Sequence, residues 1–258
     1  MLSIFKKKEK VKNVEELILK ENYLDIEPIA KYFQNQTGII FDKQKSILKN
    51  KTTSFCRQRD IYSFDELLLQ IKSNEYVKQE FINYLTTNET SFYREFRQIE
   101  ELISHVKKSS KYVKILCAPS STGEEPYSIA IALLESGVSS NSFEILGIDI
   151  NSDVIKRAKL AVYKEADIRN LTYELREKYF IKDSDKFRLK ESIKSLVSFK
   201  ICNIFDNSFM NLGKFDFVFS RNMLIYFDKE TKKRAKNILE NMRNDKSVDV
   251  FFGHADLF

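Results

Sequence analysis

The chain has 258 residues, 43% of them hydrophobic and 31% charged, with 21 Phe and 12 Tyr. That composition excludes a wholly disordered chain, and 6 Gly with 3 Pro exclude collagen-like and low-complexity classes. The net charge is +6, and residues 1–60 carry most of it, with 13 Lys and Arg against 8 Asp and Glu. Three widely spaced cysteines (Cys56, Cys117, Cys202) and two histidines give neither a disulfide framework nor metal-ligand spacing, so a reducing cytosol and no metal are expected. No apolar run reaches the ~20 residues of a membrane span. The lysines near the start are followed by no apolar stretch, so no signal peptide is expected.

In chain order, the first ~86 residues predict helices only: Val14–Lys20, Ile26–Gln36, Lys43–Cys56, Phe64–Ile71 and Glu75–Leu85 place apolar residues three and four apart. Asp42 and Ser63 are candidate N-caps, and Gly38 is a candidate left-handed helix end. From about residue 110, strands alternate with helices. Strands are expected at Tyr112–Ala118, Phe143–Ile148, Leu196–Ile201, Phe215–Ser220 and Val248–Gly253. Helices are expected at Glu124–Glu135, Ser152–Tyr163 and Lys229–Met242. Such alternation predicts an α/β fold with a parallel sheet covered on both faces. Residues 164–195 break the rhythm and are expected to form an insertion. The division is therefore an N-terminal helical domain over 1–86 and an α/β domain over 87–258.

The loop after the first strand is the informative one. In an open parallel sheet, ligands lie outside the carboxyl ends of the strands. A pyrophosphate cradle needs several glycines and a free helix N-terminus. Here Pro119–Tyr127 offers one glycine, Gly123, and two carboxylates, Glu124 and Glu125. These acids complement the helix dipole and repel a pyrophosphate, which argues against NAD, FAD and ATP. A cationic ligand with hydroxyls, such as S-adenosylmethionine, fits better. Asp149 ends the second strand, where a carboxylate accepts hydrogen bonds from ribose hydroxyls. Singly, these acids read as turn and helix-start residues; together, at adjacent strand ends, they read as a site.

Four motifs occur in order: Asn88-Glu-Thr-Ser-Phe-Tyr-Arg94, Ser121-Thr-Gly-Glu-Glu-Pro-Tyr-Ser128, Gly147-Ile-Asp-Ile150, and Phe215 through Phe227 (FDFVFSRNMLIYF). As a set they resemble the CheR family of chemotaxis receptor methyltransferases, over roughly residues 26–256. The resemblance implies a small helical domain, a Rossmann-like class I methyltransferase domain and a small inserted β-subdomain. It implies methylation of glutamate side chains on the cytoplasmic helices of chemoreceptors, with S-adenosylmethionine as cofactor. By motif, the implied cofactor contacts are Asn88, Thr90, Arg94, Gly123, Glu125, Asp149, Asn203, Ile204, Arg221 and Asn222. Without the resemblance, Asn203 reads as a turn asparagine. Arg94 is the first choice to hold the substrate carboxylate, because its planar fork matches two oxygens. Tyr226 is the second, as a hydroxyl donor, and reads equally as a core aromatic.

The implied partner is an acidic helical bundle, and Lys43, Lys45, Lys49, Lys51, Arg57 and Arg59 form the candidate docking face. The implied place is the cytoplasm, at membrane receptor arrays. Where the family usually has Gly-His-Ser-Glu, this chain has Gly253-His-Ala-Asp256, and the sheet is expected to lack a closing hairpin after it. The rivals are a methyltransferase of nucleic acid or of another protein, a non-catalytic cofactor-binding module and a purely structural interaction protein, the last giving no reason for acids and amides to gather at strand ends. Against the nucleic-acid enzyme, the place after the fourth strand reads Ser220-Arg-Asn-Met223 rather than Asn/Asp-Pro-Pro-aromatic.

Overall fold

The computed structural model describes residues 21–42, 44–109 and 111–256, in two compact units that divide between Leu85 and Thr86. The expected helix Val14–Lys20 lies outside the described residues, as does Lys43.

The first unit holds α1 (Glu27–Thr37), α2 (Lys45–Arg57), α3 (Phe64–Ser73) and α4 (Glu75–Leu85). Their buried faces meet through Phe33, Phe55 and Phe81, whose rings pack edge-on at 5.0–5.8 Å. Gly38 ends α1 at φ 77, a left-handed conformation that glycine adopts without strain. Ser63 caps α3 by accepting from the Glu66 N–H. Asp42 does not cap α2: Gln44 occupies that place, with no side-chain cap bond. The basic residues of this unit are largely engaged. Lys45 pairs with Glu27 at 2.6 Å, Arg57 with Glu21 at 2.6 Å and Arg59 with Glu80 at 3.1 Å, while the Lys49 ammonium donates to the Leu24 carbonyl.

The second unit is Rossmann-like. It begins with α5 (Phe96–Lys108), for which the sequence reading assigned no element. Ile99, Leu102 and Val106 are buried at three- and four-residue spacing along it. Then come β1 (Val113–Cys117), α6 (Glu124–Glu135), β2 (Phe143–Asp149) and α7 (Ser152–Leu160). The helix expected to reach Tyr163 stops three residues earlier. Ala161 turns left-handed at φ 53, and Val162–Lys164 form β3 instead. α8 (Tyr173–Tyr179), β4 (Phe180–Asp183), β5 (Lys186–Leu189) and α9 (Glu191–Lys194) follow. β3, β5 and β4 make a separate antiparallel sheet in the order β3-β5-β4. The chain finishes with β6 (Val197–Ile201), α10 (Asn207–Met210), β7 (Phe217–Ser220), α11 (Lys229–Glu240) and β8 (Phe251–Phe252).

The main sheet runs β6-β2-β1-β7-β8, and every pairing in it is parallel. β1 and its neighbours are buried on both faces, as the runs YVKILCA and FDFVFS require. The order makes β1 and β7 a switch point: the chain passes outward through β2 on one side and outward through β8 on the other. A crevice at the carboxyl ends of those strands is where such sheets bind ligands.

Candidate active site

The loop leaving β1 is tied to both neighbouring strands. The Ala118 N–H donates to the Phe219 carbonyl at 2.9 Å, and the Ser120 N–H donates to Ile148 at 2.7 Å. Ser121 (φ 48) and Gly123 (φ 95) are left-handed, which folds the loop back over the strand ends. That turn presents the Ser121 N–H to Asp149, whose Oδ2 accepts it at 2.9 Å, while Oδ1 accepts from the Asn151 N–H at 2.9 Å. Gly147, two residues earlier on the same strand, has no room for a side chain: a Cβ there would lie 2.7 Å from the Phe199 ring and 2.8 Å from Ser120. Burial pushes the Asp149 carboxyl up to about 6, against the backbone hydrogen bonds that favour its ionised form.

The two acids that open α6 part company. Glu124 accepts from the Thr122 hydroxyl at both oxygens, and burial pushes its carboxyl up to about 7. Glu125 meets Arg221 in an ion pair, with side chains 8% and 4% exposed. The second nitrogen of Arg221 donates to the Arg94 carbonyl at 2.6 Å. Arg221 thus ties the start of α6 to the segment before α5. Two residues predicted as separate ligand contacts are therefore partners of each other. A buried pair of this kind holds geometry more than it adds stability, because both charges have lost water.

Arg94 is half-buried, with its guanidinium donating to the Glu89 carbonyl at 2.9 Å. Its neighbours Tyr93 (φ 53) and Glu95 (φ 49) are left-handed, a conformation that costs non-glycine residues energy and persists only where surroundings enforce it. The enforcing contact is Phe92. It is fully buried, its ring meets Tyr163 at 4.9 Å and Phe180 at 5.3 Å, and its N–H and carbonyl bond to Asp167 and Asn170. Burying one such ring contributes roughly 1.5–3 kcal/mol. The small antiparallel sheet therefore serves as the anchor of the Arg94 segment. Asn88 and Thr90 are half-buried on the same segment.

On the β6 side, the Asn203 side chain accepts from the Phe205 N–H at 3.0 Å, closing a turn, and Ile204 beside it is buried. On the β7 side, Asn222 is left-handed (φ 59) and begins a short 3-10 turn at Leu224–Tyr226. Asp256, which the sequence reading placed in no role, organises that turn. Its Oδ2 accepts from the N–H groups of Asn222 (2.5 Å) and Gly253 (3.2 Å). Its Oδ1 accepts from those of Leu224 (2.8 Å) and Ile225 (3.3 Å). The only sequence signal for it was an acid shortly after Gly253. Tyr226 follows, half-buried. Burial raises its hydroxyl pKa, Glu89 adds to that and Arg94 opposes it.

The set fits a cationic nucleoside. Among the described residues, six buried side-chain atoms have no hydrogen-bond partner; Thr52 Oγ1 and Gln98 Oε1 lie elsewhere, whereas Glu125 Oε1 and the hydroxyls of Ser120, Ser121 and Ser220 belong to the loop and helix start after β1 and to the end of β7. Buried polar atoms are rarely left so, and a polar ligand would meet them. Glycines for a phosphate cradle are lacking, as expected. No group of three His, Cys, Asp or Glu among the described residues is placed to hold a metal.

Comparison with known proteins bears on the same residues. The family model described as CheR methyltransferase, SAM binding domain, matches residues 88–258. A chemotaxis protein methyltransferase of Campylobacter jejuni strain 81-176 is 37% identical over 235 residues, covering 91% of this chain and 88% of the relative. The Escherichia coli K12 protein of the same name is 28% identical over 238 residues, covering 89% and 83%. A probable biofilm formation methyltransferase, WspC, of Pseudomonas putida is 31% identical over 208 residues, covering 78% of this chain and 49% of that protein.

Proposed function

Because the chain belongs to the CheR methyltransferase family and takes S-adenosylmethionine as its cofactor, we propose that it methylates glutamate side chains on the cytoplasmic helices of chemoreceptors. It works in the cytoplasm, recruited to membrane receptor arrays. The observation that carries this reading is Arg94, an arginine whose own carbonyl accepts from Arg221, the buried partner of Glu125, and whose segment therefore joins the start of α6 and the end of β7. A planar cation there matches the two oxygens of a substrate carboxylate. The names of the Campylobacter and Escherichia relatives support the chemotactic setting.

Bound S-adenosylmethionine supplies an electrophilic methyl group on a sulfonium. Asp149 would accept from its ribose hydroxyls. Glu125, Asn203, Ile204, Asn222, Asn88, Thr90 and the Gly123 turn would hold the rest, with Arg221 fixing Glu125. The substrate glutamate, with a pKa near 4.3, is already ionised at neutral pH and needs no general base. Arg94 would hold one face of that carboxylate and align it for in-line attack. Such alignment supplies several kcal/mol of a barrier. Tyr226 stays protonated, because burial raises its pKa, and so keeps a hydrogen-bond donor at the transfer site. One docking face for acidic helices is offered by Lys45, Lys49, Lys51, Arg57 and Arg59, although three of these five already pair with acids.

The test is incubation with methyl-labelled cofactor and receptor-containing membranes. The expected result is base-labile label on the receptor, the signature of a methyl ester. Base-stable label, or label on nucleic acid, would contradict the reading.

A further inference from the structure

α11 carries five cations in eight residues: Lys229, Lys232, Lys233, Arg234 and Lys236, with Glu230 the one acid among them. Lys229, Lys232, Lys233 and Lys236 are spaced i, i+3, i+4, i+7, so they form a stripe along one face. Among the described residues none of the five is in an ion pair. Elsewhere in the same unit, Lys156, Lys178 and Lys194 each pair with an acid.

The stripe works against its own helix. Lys229 and Lys233, and Lys232 and Lys236, are like charges four residues apart, which repel. Three lysines also lie in the first turn and a half, at the positive end of the helix dipole. Asp228 caps the first turn at Thr231 N, and Ala235 and Leu239 bury the face that adjoins Lys232 and Lys236, which are half-buried beside it, with Lys236 5.3 Å from the centre of the Phe252 ring. Lys229 and Lys233 are exposed and make no such contact, and a local rule broken with no gain to the fold points to a role outside it.

The stripe also adjoins the site, because Lys236 lies over the Phe252 ring and Phe252 precedes Gly253, whose N–H shares the Asp256 carboxylate with that of Leu224, while Arg234 leaves α11 on another face. α11 starts three residues after Tyr226. The Arg234 guanidinium lies 4.7 Å from the centre of the Phe205 ring, and Phe205 packs on Phe227 at 5.6 Å. Phe205 is in turn bonded to Asn203, and Ile225 on the intervening turn is 43% exposed. We propose that α11, with Ile225, is the docking surface for an acidic helical segment that carries the substrate glutamate into the site. The inference rests on the reading of the substrate given above. Seven residues of helix rise about 10 Å, so the four lysines span two turns and match acids repeated every three to four residues on a partner helix. Such pairing across an interface sets association and its salt dependence more than it sets the chemistry.

The test uses the full chain carrying Lys229→Gln, Lys233→Gln and Lys236→Gln together, with a soluble cytoplasmic chemoreceptor fragment as substrate, at about 50 and about 300 mM salt. The expected result is a KM raised by about tenfold at low salt, a flatter salt dependence and a kcat within about twofold of the parent. Calorimetric affinity for S-adenosylhomocysteine should be unchanged, which checks that the variant folds. A KM and salt dependence equal to those of the parent would overturn the proposal while leaving the activity intact. So would loss of duplex DNA binding with the receptor KM unchanged, which would assign the stripe to nucleic acid. A parent protein that methylates no receptor fragment at all would instead overturn the substrate reading itself.

Discussion

Asp149 and Glu124 are buried acids whose protonation matters near neutral pH. Their folded pKa values, about 6 and about 7, lie above those of an unfolded chain. Their contribution to the stability of the ligand-free protein is therefore fully present below about pH 4 and is lost as pH rises through 6 to 7. Ligand hydroxyls donating to Asp149 favour its ionised form, so the affinity has the opposite slope. Affinity for S-adenosylhomocysteine should strengthen about tenfold from pH 5 to pH 7.5 and level off above. Asp149→Asn should flatten that dependence and weaken binding at pH 7.5 by about 1–3 kcal/mol in calorimetry; an unchanged profile would remove Asp149 from the site. Arg94→Ala should keep the fold and the cofactor affinity to within a few-fold, yet lose more than tenfold in transfer to receptor, if the guanidinium aligns the substrate as proposed. At this scale the sequence showed the acids through their position at strand ends. It did not show that Glu124 and Glu125 face different partners, since adjacent residues on a helix diverge by about 100°.

The element that most decides the transfer site is the 3-10 turn at Leu224–Tyr226, and Asp256 holds it. Four N–H donors converge on one buried carboxylate. Asp256→Ala strands those donors, so kcat should fall more than tenfold with a smaller change in cofactor affinity. Asp256→Glu, the acid the family usually places there, should recover more activity than Asp256→Ala; equal losses in the two variants would contradict the clamp. Gly147→Ala forces a Cβ against Phe199 and Ser120 and should destabilise by about 1–3 kcal/mol, read as a fall in Tm. Strands β1, β2, β6 and β7 were legible because they are short apolar runs bounded by turns. α5 was equally visible in the spacing of Ile99, Leu102 and Val106 and was passed over beside the motif that precedes it. β3 was not legible: Val162–Lys164 continue the apolar pattern of α7, and only the partner strand β5, more than twenty residues on, makes them extended.

For the whole molecule, the strand order β6-β2-β1-β7-β8 gathers residues from distant parts of the chain at one crevice. Arg221 and Glu125 are 96 positions apart, and Arg221 and Arg94 127 apart. Motif order along the sequence implied that gathering. The pairings themselves depend on three-dimensional packing, which is why the ion pair of Arg221 with Glu125 was not legible in the sequence. Of the rivals, a sensor module needs Asp149 and Glu125 but neither Arg94 nor Tyr226, and a nucleic-acid enzyme would bind DNA or RNA with a steep salt dependence. The most direct measurement is a crystal structure with S-adenosylhomocysteine. The account predicts the nucleoside over the carboxyl ends of β1, β2 and β6, its ribose on Asp149 and its sulfur on the side of Arg94 and Tyr226. A nucleoside seated elsewhere, or one turned so that its sulfur faces away from Arg94, would contradict it.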